Sequence, residues 1–226
     1  MLSSLIAALA LAQIATTPAQ KAAPPAARPR VRTVSPEAGA TTTGHTYTNR
    51  YFGFSYTTPQ NWVWAGNEEM TAMRESTRRQ TEQLLGAEQG RAAVSGSHFL
   101  ALATSTPAGE SVLVSAESLT QYPEVKTGAD YLANMLDNMG EAFEPLGDVQ
   151  QVALAGRGFW RQRTRQKVGD GFVFHALTVT VVNHHALSFD CVGVSEAQLE
   201  EALETLDSVK FSALPAGPVR SAPKKN

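Results

Sequence analysis

The hydrophobic and polar positions fall into blocks with two different periods. Tyr51-Phe52-Gly53-Phe54-Ser55-Tyr56 is an aromatic strand pattern that stops at Thr58-Pro59-Gln60-Asn61-Trp62. Aromatics suit a pleated, half-buried surface, and Pro ends the strand. From Glu68 to Leu85 the period becomes helical, with Met70, Met73, Thr77, Thr81 and Leu84 on one stripe among charged residues. So thin a stripe predicts a helix lying on the surface. Phe99–Ser105 and Ser111–Ser118 alternate around Pro107-Ala108-Gly109 and predict a hairpin. A second helix is expected over about 128–139. Thr127 and Asp130 supply its capping box, Gly140 its C-cap, and Leu132, Met135, Leu136 and Met139 its apolar face.

The last third is a meander. Arg157–Val168 and Phe172–Val182 flank Gly169-Asp170-Gly171, and a two-residue turn at Asp170-Gly171 places Arg161, Arg163 and Arg165 opposite Thr180, Thr178 and Ala176. A one-residue slip would exchange the faces. Asn183-His184 turns the chain into a third strand, His185–Val194. Ser195, with Gln198 three residues on, opens a helix whose stripe is Leu199, Leu203 and Leu206 with Ala202 and Val209. Strands, a helix, a three-stranded meander and a helix predict an α+β fold, an antiparallel β-sheet with helices packed on it.

The segment from Tyr47 to Trp62, YTNRYFGFSYTTPQNW, resembles the opening of PsbP-like extracytoplasmic domains, where an aromatic-Gly-Phe-Ser strand leads into a Pro-x-x-Trp turn. The closing meander and amphipathic helix, Phe172 to Phe211, are also similar. By element order the resemblance spans residues 45–212. It implies an α/β/α sandwich. The group includes photosystem II extrinsic subunits and bacterial envelope proteins of the DcrB and LpqN kinds, which mostly act as binding or assembly modules. It shares no catalytic motif that could be carried over. The helix at Glu68–Leu85 and the long linker are departures from its pattern.

The ends of the chain differ from the middle. Leu2 to Ile14 is an apolar run followed by small residues at Ala10-Leu11-Ala12 and Thr17-Pro18-Ala19. It is shorter than the roughly 20 residues a membrane span needs, and residues 1–19 read as a secretory signal peptide. Met1-Leu2-Ser3-Ser4 lacks the usual basic front end. Residues 20–44 are a Pro/Ala-rich linker, and residues 213–226 a basic tail of similar composition. The expected location is secreted or periplasmic, with no lipid-anchoring cysteine near the cleavage region and no stable membrane insertion.

The formal net charge of -2 hides this division. Residues 21–41 carry four basic residues against Glu37, and the last fifteen add three more. Residues 42–211 are left with twelve basic residues and a net charge of -8. An acidic body argues against a nucleic-acid binder.

Five of the twelve bases lie on one strand. Arg157, Arg161, Arg163, Arg165 and Lys167 alternate with Phe159 in phase, so they share a face. Arg forks suit carboxylate and phosphate, which makes this row a candidate anion- or partner-binding surface. An exposed hairpin face, an edge kept soluble by charge, or a row paired with the acidic face of the last helix is the plainer reading.

Other chemistry is sparse. No Gly-x-Ser-x-Gly, phosphate-binding loop, dinucleotide fingerprint or His-Glu-x-x-His occurs, so no cofactor is called for. His184-His185 point to opposite faces of a strand and do not easily share a metal; His175 could join one of them across the hairpin, but a carboxylate would still be needed, so a polar pair at a turn is the better reading. Glu200, Glu201 and Glu204 read as a solvated helix face. Cys191, the only cysteine, alternates with Leu187 and Phe189 and reads as a buried thiol.

The expectation is a non-catalytic binding or accessory domain, its partner an envelope protein or small ligand. One alternative is a small-molecule or lipid carrier, with a pocket lined by Met70 and Met73 between the sheet and the Glu68–Leu85 helix. Another is a hydrolase whose site assembles from His98, His175 or Asp190.

Overall fold

The computed structural model describes residues 35–107, 109–139 and 143–212. The stretches expected to be the signal peptide, most of the linker and the basic tail, together with Ala108, Gly140 and residues 141–142, lie outside the described residues. The meander forms the centre of the fold. Strands β9 (Arg157–Val168), β10 (Gly171–Val182) and β11 (His185–Gly193) pair in sequence, all antiparallel. The Asn183-His184 turn has φ of 50° and 60° at its two residues, the left-handed pair that a tight hairpin of this twist requires.

The β9–β10 turn is also two residues long, but it is Gly169-Asp170, because Val168 pairs with Gly171. Gly169 takes φ +59° at the first turn position, where glycine is the residue without a steric penalty. Arg161, Arg163 and Arg165 therefore oppose Thr178, Ala176 and Phe174. The partners slide by two residues from the expected register, and an even slide keeps each side chain on its predicted face.

Outward from β11 come β6 (Ser111–Ser118), β5 (Ser97–Ser105) and the short edge β4 (Trp62–Trp64). On the other side, β9 pairs along its length with β8 (Gln150–Leu154) and β7 (Phe143–Pro145). A second, four-stranded sheet was not anticipated. Strands β1 (Ala40–Thr43), β2 (Thr46–Asn49) and β3 (Phe54–Thr57) form a meander, and β12 (Lys210–Phe211) adds to β3. Strand β1 lies within the stretch expected to be linker.

The large sheet is covered on both faces, giving the expected α+β sandwich. One face carries Val112, Val114, Phe159, Ala176, Leu187, Phe189 and Cys191. It packs against the small sheet's Tyr47, Phe54 and Tyr56 and against helix α4 (Glu196–Glu204) through Leu199, Ala202 and Leu203. The Tyr56 hydroxyl and Thr205 Oγ1 share a buried hydrogen bond of 2.6 Å, fixing the short 3-10 turn Thr205–Ser208 that follows α4.

The opposite face carries helices α1 (Asn67–Leu85) and α3 (Gly128–Asn138). Met70 and Met73 of α1 pack on Phe99 and Leu113. Tyr131, Leu132 and Met135 of α3 pack on Leu177, Val179 and Ala186. Helix α3 begins as expected: Thr127 Oγ1 accepts from the Asp130 amide at 3.2 Å, and Asp130 accepts the Thr127 amide at 2.8 Å. Its first residue must be small, because a Cβ on Gly128 would lie 2.4 Å from the Val179 carbonyl oxygen. A fourth helix, α2 (Ala87–Val94), crosses α1 at Gly90, whose Cβ position is 2.5 Å from Glu82 Cα.

Candidate functional site

The basic row lies on the α4 side of β9, and its members meet different fates. Arg163 grips Glu200 of α4 with two bonds, at 2.5 and 3.2 Å. Arg165 grips Glu144 of β7 at 2.8 and 2.9 Å, while its guanidinium stacks over Phe172 at 4.7 Å. Arg157 covers the Phe211 ring at 4.2 Å and donates to the Ser212 carbonyl. Arg161 donates from Nε to Thr178 Oγ1 at 2.9 Å, and desolvation pushes its guanidinium below the ordinary value. Lys167 alone points out into solvent at the hairpin end. Forked arginine–carboxylate pairs fix geometry more than they add stability at an exposed site. The row is thus largely a brace that ties β9 to α4 and β7.

What remains open lies at the end of the hairpin. Phe172 and Val168 flank the turn at 40 % and 38 % exposure, and Val194, just past β11, stands at 55 %. The three come from adjacent strands at one end of the sheet. Phe172 lies on the arginine face, opposite Lys167 and beneath the Arg165 guanidinium, whereas Val168 pairs with Gly171 on the other face, so it is Phe172 that joins exposed apolar area to positive charge.

On the opposite face of the sheet the alternation carries polar residues inward. Gln162 and Thr164 of β9, His175 of β10, Ser188 and Asp190 of β11, and Ser111 and Ser115 of β6 are all buried. Thr164 pairs directly with His175, while Leu177 pairs with both Gln162 and Asp190, which sets those two diagonally beside His175. His175 Nδ1 is 3.6 Å from Asp190 Oδ2, with the two side chains 1 % and 2 % exposed. Burial pushes the Asp190 carboxyl up, and the neighbouring imidazole draws it partly back.

Ser115 and Ser188 hydrogen bond to each other at 2.9 Å. Gln162 Nε2 donates to the carbonyls of Gly147 and Arg163 at 3.1 and 2.7 Å, which fixes which end of the amide is oxygen. Apart from the 3.6 Å contact between His175 Nδ1 and Asp190, the ring nitrogens of His175, Asp190 Oδ1, Gln162 Oε1 and Ser111 Oγ make no hydrogen bond among the described residues.

The structure thus brings together two of the three residues singled out for a hidden site, His175 and Asp190, and separates His98. His98 lies near Glu37, at 3.7 Å, and its ring is 6.1 Å from that of His185. His185 Nδ1 donates to the Asn183 carbonyl at 2.7 Å, and burial pushes its pKa down. Among the described residues, no group of three or more His, Cys, Asp and Glu is placed to hold a metal. Cys191 is buried beside Phe189 and Leu187, and burial pushes its thiol well up. Where a carrier pocket was expected, Met70 and Met73 pack on the sheet. No helix of the described residues is long and apolar enough to cross a membrane.

Sequence reasoning missed Gln162, Thr164 and Ser188, and it missed Glu117. The Tyr131 hydroxyl donates to Glu117 at 2.7 Å, and burial raises the Glu117 carboxyl to about 7. A signal existed. Gln162, Thr164 and Gln166 of β9 and Ser188 and Asp190 of β11 alternate with the arginines and apolar side chains, although both faces of a central strand are covered.

The fold is similar to three solved structures. The solution structure of cyanobacterial PsbP from Synechocystis matches with a TM-score of 0.45 and 14 % identity, over 77 % of this chain and 97 % of that one. The crystal structure of LpqN, involved in cell envelope biogenesis of Mycobacterium tuberculosis, matches with a TM-score of 0.45 and 12 % identity, over 71 % and 83 %. A protein from Bacteroides thetaiotaomicron matches with a TM-score of 0.43 and 11 % identity, over 76 % of this chain and half of that one. PsbP and LpqN are of the kinds that the Tyr47–Trp62 segment resembles. No family model and no curated protein matches the chain.

Proposed function

We propose that this chain is an exported, non-catalytic accessory domain of the bacterial envelope that docks on a partner protein through the free end of the β9–β10 hairpin. The observation that carries this reading is the exposed Phe172 ring at the hairpin end, opposite Lys167 and stacked with Arg165. A rigid exposed aromatic beside an arginine has the composition of an interface anchor. The lysine and arginine suit a partner with acidic residues around an apolar centre. Export is supported by the Leu2–Ile14 run and the small residues after it. The non-catalytic reading is supported by the depth of the His175–Asp190 pair.

The test is in-cell photocrosslinking from position 172, with position 63 as the control. Val63 is 59 % exposed on β4, at the opposite edge of the sheet. A defined protein adduct from position 172, absent from position 63 and lost in Phe172→Ser probed from position 168, is the expected result. The same adducts from both positions, or none from 172, would remove the reading.

A further inference from the structure

We propose that α3, with residues 119–127 ahead of it, is a proton-controlled flap: it lies shut on the sheet while Glu117 is protonated and opens locally as that carboxyl ionises. The flap is held apart from the rest of the core. Leu119, Val125, Tyr131, Leu132 and Met135 pack with Leu177, Val179 and Ala186 in a cluster of their own. Met70 and Met73 of α1 pack in a second cluster, and the small sheet and α4 in a third. A unit with its own contacts can open while the strands beneath keep their pairing.

Glu117 lies at the seam between flap and sheet. It is on β6, its neighbours on β5 and β11 are Ser97 and Ala186, and its carboxyl accepts the Tyr131 hydroxyl of α3 at 2.7 Å. The other titratable group against it from the flap is the Tyr122 phenol, with Glu124 beyond that ring. Lys126 and Asp130 are exposed, and Asp130 accepts the Lys126 and Thr127 amides. His98 pairs with Ala116 and His185 with Ser118, so both alternate to the other face, and His184 is exposed at its turn. No Lys, Arg or His among the described residues offsets the Glu117 charge. A buried carboxylate without a cation must gain water or a proton. Water reaches it when α3 and its phenol move away.

Closing binds the proton, because burial raises the carboxyl from 4.5 to about 7. The flap is therefore tightest below about 4.5, loosens as pH rises to about 7, and changes little beyond. Opening uncovers Leu177, Val179 and Ala186, so this apolar strip is withheld in acid and offered at neutral pH.

The experiment is hydrogen exchange of the whole chain at pH 5 and pH 8, read by mass spectrometry on peptides from α3, β10 and β11 and corrected for the intrinsic rate at each pH. The α3 amides should be the less protected set at both pH values, and their protection should fall about 70-fold from pH 5 to pH 8. In Glu117→Gln, which keeps an acceptor for Tyr131 and cannot ionise, α3 protection should stay level. Protection in α3 equal to that of β10 and β11 means that it opens only with the whole domain, and overturns the proposal. So does the same fall in the variant, or a level profile in the natural protein, the result if the ionised side chain swings into solvent and leaves α3 shut. If Glu117→Gln fails to fold, the comparison of α3 with β10 and β11 across pH in the natural protein still decides.

Discussion

Glu117 offers a direct measurement of what the buried side of the sheet costs. It sits on β6 between Ser97 of β5 and Ala186 of β11 and accepts the Tyr131 hydroxyl from α3 at 2.7 Å. Part of the residue surface stays accessible, but the carboxyl is enclosed, and desolvation raises it from 4.5 to about 7. A raised carboxyl means that the folded chain binds more protons than the unfolded chain between those two values. Stability therefore falls as pH rises from about 4.5 through about 7 and then levels off.

At about 1.4 kcal/mol per pH unit, the displacement from 4.5 to about 7 corresponds to about 3 kcal/mol. Most of it, about 2–3 kcal/mol, falls between pH 5 and 8. Glu117→Gln keeps an acceptor for Tyr131 and removes the charge. Urea unfolding followed by tryptophan fluorescence at pH 5 and pH 8 should show the variant more stable by about 2–3 kcal/mol at pH 8 and within about 1 kcal/mol of the natural protein at pH 5. The difference between the two proteins isolates this carboxyl, because Asp190 and His185 titrate in both. Parallel pH profiles, or a variant that is weaker at pH 8, would refute the reasoning.

Three further outcomes follow from the packing. Gly128→Ala drives a methyl into the Val179 carbonyl at 2.4 Å and should cost about 1–3 kcal/mol, read as a lower melting temperature; an unchanged one would mean that α3 does not dock that closely. A double-mutant cycle on Arg163 and Glu200, side chains 38 % and 51 % exposed, should give a coupling of about 0.2–1 kcal/mol that fades in salt, and a salt-independent value would contradict the placement. Cys191 should resist a thiol reagent in the folded protein and react once urea unfolds it, so fast labelling of the native state would show that its burial is wrong.

Local signals announced the elements whose stability is local. The Thr127 and Asp130 box, the Asn183-His184 turn and the leucine stripe from Leu199 to Leu206 each rest on residues a few positions apart, and each is present. The β9–β10 turn moved by one residue because Gly169 and Gly171 both suit a turn; this slid the strand partners by two, and parity kept the faces. The small sheet was not legible. Strand β1 is Ala-Thr-Thr-Thr, without an apolar alternation, and β12 is two residues long. Both exist only through pairing with β2 and β3.

The basic row was legible as alternation, and its pairing with the last helix was among the readings offered. Glu144 as a second partner was not, because β7 is three residues long and set in place only by β9. The His175–Asp190 pair needed the β10–β11 register before its diagonal contact could be seen.

The pairing of β12 with β3 bears on the order in which the chain can mature. Lys210 and Phe211 complete a sheet whose other three strands lie within residues 40–57, and Phe54 meets both Phe211 and Phe189. Contacts so distant in sequence form slowly and late. A chain delivered from its amino end, whether by the ribosome or through a membrane pore, emerges with its first strands unable to close until nearly the whole domain has followed. The last strand of the described residues thus acts as a latch on the first three, and the sheet stays open until that strand arrives.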